Sequence, residues 1–194
     1  MAIDSTPPAP QPSALTSYLK SCALHGSHSP HYQNLALQIL HNLQYQHDWT
    51  SLHIHIHSPL TQKLLLRPLI SGLPPHRIYV HPDDQVEELK RGLDPTKGEP
   101  EREWVLPTYL AEKWSLRRFG KVFDAVGEEP PEEEREEEGK EEVSRDESED
   151  GGAGGGPGGK KRRGGKRILL ATLGDDSTVV YYIIHDGIVK PRQN

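Results

Sequence analysis

Lys166–Leu173 (KRILLATL) and Thr178–Ile184 (TVVYYII) decide the fold. Both runs are rich in β-branched, aromatic and aliphatic residues, and only Gly174, Asp175, Asp176 and Ser177 separate them. Two strand-forming runs joined by so short a polar connection predict a β-hairpin, with the connection read as a type I′-like turn. Side chains alternate across a strand, so Tyr181 and Tyr182 must face opposite ways. A lone hairpin is marginal in water, which requires these strands to join a larger sheet.

The rest of that sheet must come from a limited part of the chain. Hydrophobic residues are 33% of the 194, and the mean hydropathy is −0.73. From Gly127 to Gly159 the composition turns to acidic residues, Gly and Pro, with Val143 almost alone as a core candidate. That composition predicts disorder. Residues Gly127–Asp150 hold 14 acidic and 3 basic side chains, a net of −11; with −6 for the whole chain, the remainder carries +5. The folded part is therefore mildly basic beneath an acidic total.

The organisation expected is a disordered tail over residues 1–30, one domain built from 31–126 and 166–194, and a linker over 127–165. A flexible linker of this length spans roughly 35 Å, whereas a domain of about 130 residues has a radius of gyration near ~14 Å. The hairpin can thus return to the sheet it left. Next to the glycines stand Lys160, Lys161, Arg162, Arg163, Lys166 and Arg167, a run suited to RNA phosphates, to nuclear import, or to neutralising the acidic tract.

The N-terminus lacks a signal-peptide pattern and no run approaches the ~18 apolar residues of a membrane span, so a soluble intracellular protein is expected. Cys22 is the single cysteine. It excludes an internal disulfide and a zinc site made of cysteines alone.

Tyr32–Gln46 carries Leu35, Ile39, Leu43 and Gln46 along one stripe, flanked by Ala36, Leu37 and Leu40, which predicts an amphipathic helix. Thr50–His57 then alternates, with Leu52, Ile54 and Ile56 opposite His53, His55 and His57, as a half-buried strand does. Leu64–Gly72 and Arg77–His81 are the next apolar runs, and Pro68 makes the first an edge or irregular strand. Glu103–Leu106 reads as a short strand ending at Pro107. Ser115 is placed to cap a helix over Leu116–Val126 whose Leu116, Phe119, Val122, Phe123 and Val126 form a core stripe. This mixed order predicts an α+β (mixed α/β) domain around one central mixed sheet.

His53, His55 and His57 share a strand face at about 7 Å spacing, too long for three ligands on one ion, and no acidic residue or cysteine lies in the strand to complete a site. A solvated or partner-facing histidine face is expected, with no metal and no cofactor.

Two segments carry a resemblance. REWVLPTYLAEKWSLRRFGKVFDAV (Arg102–Val126) and DSTVVYYIIHDGIVKPRQN (Asp176–Asn194) resemble the smallest, non-catalytic subunit of the eukaryotic tRNA-splicing endonuclease, and the likeness extends over Tyr32–Val126 and Lys166–Asn194. It implies the compact fold these subunits share in their C-terminal half, related to restriction-type nucleases. It further implies a structural role in a heterotetramer that excises introns from precursor tRNA. The family's subunits pair through their last strands, and an acidic loop reaches into a partner. Those properties carry over here to Val180, Tyr181, Tyr182 and Ile184 for the strand and to Asp175 and Asp176 for the loop. The implied partners are the catalytic and structural subunits, with precursor tRNA met through the complex and homodimerisation as the alternative for the isolated chain. The implied location is the nucleus, with cytoplasmic or mitochondrial-surface association as the alternative.

The family's catalytic subunits cleave RNA with a Tyr, a His and a Lys. Tyr181, Tyr182, His185 and Lys190 supply those residue types, but His185 and Lys190 stand too close in sequence and the two tyrosines diverge. A stand-alone nuclease and a small RNA-binding adaptor acting through Lys160–Arg167 are the rival readings.

Overall fold

The computed structural model describes residues 28–94, 98–131 and 165–187, together with Gln11, Ser13, Ala14 and Ser17. In chain order the elements are α1 (Pro30–Gln46), β1 (Thr50–His57), β2 (Leu64–Leu73), α2 (Pro82–Lys90), β3 (Glu103–Tyr109), α3 (Leu116–Ala125), β4 (Arg167–Leu173) and β5 (Val179–His185). The strands form one sheet in the order β1-β2-β3-β4-β5. Only β3 and β4 run parallel; the other neighbours are antiparallel. The fold is α+β around a mixed sheet, as the sequence predicts.

Each face of the sheet is covered by a helix. Helix α1 buries Leu35, Ile39 and Leu43 with Trp49, Ile70, Val105, Leu169, Ala171 and Leu173. Helix α3 buries Val122 and Phe123, followed by Val126, against Leu65, Leu69, Trp104, Leu106 and Ile168 on the other face. Strand β4 lies between these layers, which explains its nearly unbroken apolar run: alternate residues enter alternate cores.

Local chemistry sets the boundaries. Helix α1 starts at Pro30, two residues before the Tyr32 start expected, because proline at the first turn lacks only an N–H that would find no helical acceptor. Its stripe ends before Gln46, which is exposed. In β1 the alternation is broken by an extra residue between Thr50 and His53 relative to β2, where Ser51 takes φ 48°. Opposite this bulge Gly72 has no room for a side chain: a Cβ would stand 2.6 Å from Leu52 Cδ2 and 3.0 Å from Trp49 Cε3.

Pro68 makes β2 irregular rather than an edge, since β2 lies between β1 and β3. Pro107 does not end β3, which continues to Tyr109. The β2–β3 pairing runs over Ile70–Gly72 against Val105–Glu103, and continuing that register sets Pro68 opposite Pro107, two residues without an N–H to give. The buried Arg67 side chain fills the gap, its Nη1 donating to the Pro107 carbonyl at 2.8 Å.

Two further expectations are corrected, and one helix was not foreseen. Arg77–His81 is not a strand; Ile78 packs on the α1-side core, and His81 caps α2 by accepting from the Asp83 N–H at 3.2 Å. Helix α2 itself has no buried residue, so it left no apolar stripe to read. Leu116 lies at the start of α3 with 90% exposure, outside the core stripe, because it precedes the first turn that meets the sheet.

The sheet includes strands from both sides of residues 127–165. Lys166 Nζ donates to the carbonyls of Phe123 at 3.2 Å and Val126 at 3.0 Å, so the two ends of that segment adjoin. Pro130 is buried, and the packed structure therefore continues past Val126. The disorder expected over 132–164, the side chains Lys160–Arg163, Lys190 and nearly all of the 1–30 tail lie outside the described residues.

Candidate protein interface

Strands β4 and β5 pair without a register break from Arg167↔His185 to Leu173↔Val179. Their turn is closed by Gly174 N–H to the Thr178 carbonyl at 2.8 Å and Ser177 N–H to the Gly174 carbonyl at 3.1 Å. The positive φ, 66°, falls on Ser177 rather than on the two aspartates. This is the pattern of a type I turn followed by a left-handed residue, in place of the type I′ turn expected, which needs positive φ at both central residues. Asp175 and Asp176 are exposed at the tip. Asp176 Oδ1 accepts the Thr178 N–H at 3.0 Å, and that bond holds its carboxyl below the usual carboxylate range.

Alternation along β5 sorts the remaining interface candidates. Tyr181 turns toward α1, where it packs with Val179 on the core and its hydroxyl donates to Asn42 Oδ1 at 2.5 Å. Burial pushes the Tyr181 hydroxyl well above its ordinary pKa. Tyr182 and Val180 face the other way and stay 56% and 43% exposed, while Ile184 beyond them is half-buried against the α3-side core. Ile183, which the sequence reading left out, is also exposed; its place on the outermost strand is the signal that could have found it.

The structure occupies the last two members of the basic run. Arg167 is buried, its Nε 3.1 Å from both Glu103 oxygens, its Nη2 on Glu103 Oε1 and 2.7 Å from Glu101 Oε2. Burial alone would lower its pKa, but the bonds and charges of Glu103 and Glu101 outweigh that and raise it. Arg167, which the sequence places at the end of the basic run, is thus held in a buried ion pair. Lys166 is spent on the α3 carbonyls, where a cation complements the helix dipole.

Among the described residues the Tyr and His types do not converge. Tyr181 and Tyr182 diverge; His185 is edge-on to Tyr79 at 4.9 Å and lies four strand residues, about 13 Å, from Tyr181. The histidine face is likewise divided. His53 and His57 are exposed, but His55 is half-buried, bonded through Nε2 to Ser71 Oγ at 2.8 Å and edge-on to Trp104 at 4.8 Å. Burial, with His53 and Arg102 nearby, lowers its pKa to about 4. The expected solvated face therefore holds only at its two ends. Among the described residues no three metal-ligating side chains cluster.

Sequence reasoning missed one further cluster. The Arg67 guanidinium lies between the rings of Tyr32 at 4.5 Å and Trp114 at 4.7 Å, and Arg118 covers Trp114 at 4.4 Å. Glu112 binds both arginines. Burial alone would raise the Glu112 carboxyl, yet these two cations hold it below its usual value.

Over 103 residues the chain is 50% identical to the "Probable tRNA-splicing endonuclease subunit tsp-1" of Neurospora crassa, a match covering 52% of this chain and 44% of that relative. The profile of the Sen15 protein family matches residues 38–138 and 158–194, and so takes in α3, β4, β5 and most of α1. The chain belongs to the Sen15 protein family.

Proposed function

We propose that this chain is a non-catalytic, structural subunit of a nuclear tRNA-splicing endonuclease, and that it pairs through β5 with a catalytic subunit. The observation that carries the reading is the contrast between the two sheet edges. Strand β1 is bulged and its pairing broken, which disfavours strand addition. Strand β5 is regular over its whole length and exposes Val180, Tyr182 and Ile183. A regular edge offers unpaired backbone groups to an incoming strand, with apolar side chains on both faces of β5 beside it. The name of the Neurospora relative supports the complex, and the exposed Asp175 and Asp176 at the adjoining turn are available for a second contact.

Co-expression with the catalytic subunits tests the reading. The parent chain is expected to copurify with them and to restore cleavage of a precursor tRNA that the catalytic subunits alone process poorly. Tyr182→Asp should remain folded and lose copurification. A folded Tyr182→Asp chain that still assembles normally would remove the β5 edge as the interface.

A further inference from the structure

The end of the basic run lies inside the fold, yet one strongly basic surface remains among the described residues. Helix α3 turns Phe119, Val122 and Phe123 toward the sheet. Its opposite side and the approach to it carry Lys113, Arg117 and Lys121, all exposed. Arg117 and Lys121 are one turn apart, about 6 Å along the axis. None of the three side chains has a hydrogen bond or carboxylate partner among the described residues, although the Lys113 backbone carbonyl accepts from Arg118 Nη1 at 2.8 Å. This is notable in a chain with 29 acidic residues. The nearest candidate, Glu112, is already held by Arg67 and Arg118, and Arg118 adds a guanidinium that is 32% exposed. Asp124 is the exposed carboxylate on this side of the helix.

Gly120 lies between Arg117 and Lys121 and is not required by the fold. A Cβ there would meet nothing within 4 Å, although glycine inside a helix costs about 0.5–1 kcal/mol relative to alanine. A bare backbone beside these cations leaves room for a chain to approach closely.

We infer that Lys113, Arg117 and Lys121 form a direct contact for the phosphate backbone of RNA, on the α3 face of the sheet. Exposed cations without carboxylate partners suit a polyanion, whose binding gains from counterion release. Phosphate contacts of this kind position the RNA and do not read its sequence. The inference deepens the proposed function by giving the subunit a share of the precursor tRNA, and it rests on that reading only for the identity of the RNA.

The test uses the full chain by itself, so failure of the subunit reading leaves it intact. Affinity for a precursor tRNA transcript is measured over a series of salt concentrations. The variant K113A/R117A/K121A is compared with the parent and with K90A/R91A, which removes exposed cations at the C-terminal end of α2. Each phosphate contact contributes about 0.7–0.9 to the slope of log affinity against log salt. The triple variant is expected to lower that slope by about 2 with unchanged circular dichroism, whereas K90A/R91A keeps the parent slope and Arg117→Lys retains most of it. Overturning results are an absence of RNA binding by the parent at low salt, an unchanged slope in the triple variant, or an equal loss in K90A/R91A. Loss of copurification with the catalytic subunits and an unchanged RNA slope would identify the face as a protein contact instead.

Discussion

Arg67 Nη1 donates to the carbonyl of Pro107 at 2.8 Å, so a side chain replaces the backbone bond that two facing prolines withhold. The same guanidinium binds Glu112 and is stacked between Tyr32 and Trp114. Removing it strands a carboxylate and opens the seam together. Arg67→Ala is expected to destabilise the fold by about 3–5 kcal/mol, as breaking one side of a buried pair does. Arg67→Lys keeps the charge but loses the planar two-pronged contact, and should recover less than half of that loss. Urea unfolding of the three proteins checks both; equal stability of Arg67→Ala and the parent would show that Arg118 alone satisfies Glu112.

Tyr181 and Tyr182 are adjacent residues with opposite commitments. Tyr181→Phe removes the bond to Asn42 and should cost about 1 kcal/mol. Tyr181→Asp puts a carboxylate into the α1 core and should abolish cooperative unfolding, whereas Tyr182→Asp, at a 56% exposed position, should unfold within about 0.5 kcal/mol of the parent. Circular dichroism melts separate the pair. Similar damage from both would contradict the strand's facing.

The His55 imidazole resists protonation in the fold, with its pKa lowered to about 4 from 6.5. A base whose folded pKa is depressed binds more protons when unfolded, so its neutral form stabilises the fold above 6.5. That contribution is lost as pH falls from 6.5 to about 4. Allowing for partial exposure, the loss is on the order of 2 kcal/mol. His55→Gln should lower stability at neutral pH and flatten the acid side of the stability curve. Parallel pH profiles for parent and variant would exclude this histidine as the source.

Gly120→Ala should stabilise the fold by about 0.5–1 kcal/mol, since the added methyl meets nothing within 4 Å. Thermal melts read the effect directly. A destabilised variant would mean that α3 needs the glycine for its own conformation.

Because Lys166 Nζ reaches the Val126 carbonyl, a short bridge can replace the segment between the two ends. Substituting Glu132–Gly156 with a few Gly/Ser residues should preserve one cooperative transition at equal or higher stability, since closing a shorter loop costs less entropy. The deletion starts after Pro131 because Pro130 is buried. Loss of the transition would assign the removed residues a part in the fold.

What the sequence disclosed follows from how locally each feature is encoded. Strands β4 and β5 and helices α1 and α3 were legible because their apolar spacing alone fixes type and facing. Helix α2 was not, since Val86 and Leu89 are partly exposed and no periodic burial marks it. Pro107 misled because its neighbour's defect, at Pro68, lies 39 positions away, and only the sheet register brings the two together. Of the interface candidates, alternation separated Tyr181 from Tyr182. It could not show that Arg167 sits inside, because Glu103 at the start of β3 and Glu101 just before it, which neutralise it, lie more than 60 positions away in sequence.

The unequal edges of the sheet also bear on how far association can proceed. Strand addition at β5 leaves β1 as the outer strand, and the extra residue at Ser51 and the break after His55 spoil its template. Such a sheet has a valence of one. It can close a pair but cannot hand the growing sheet on to a third chain, so assemblies built through this strand stop at a defined size instead of extending into a filament.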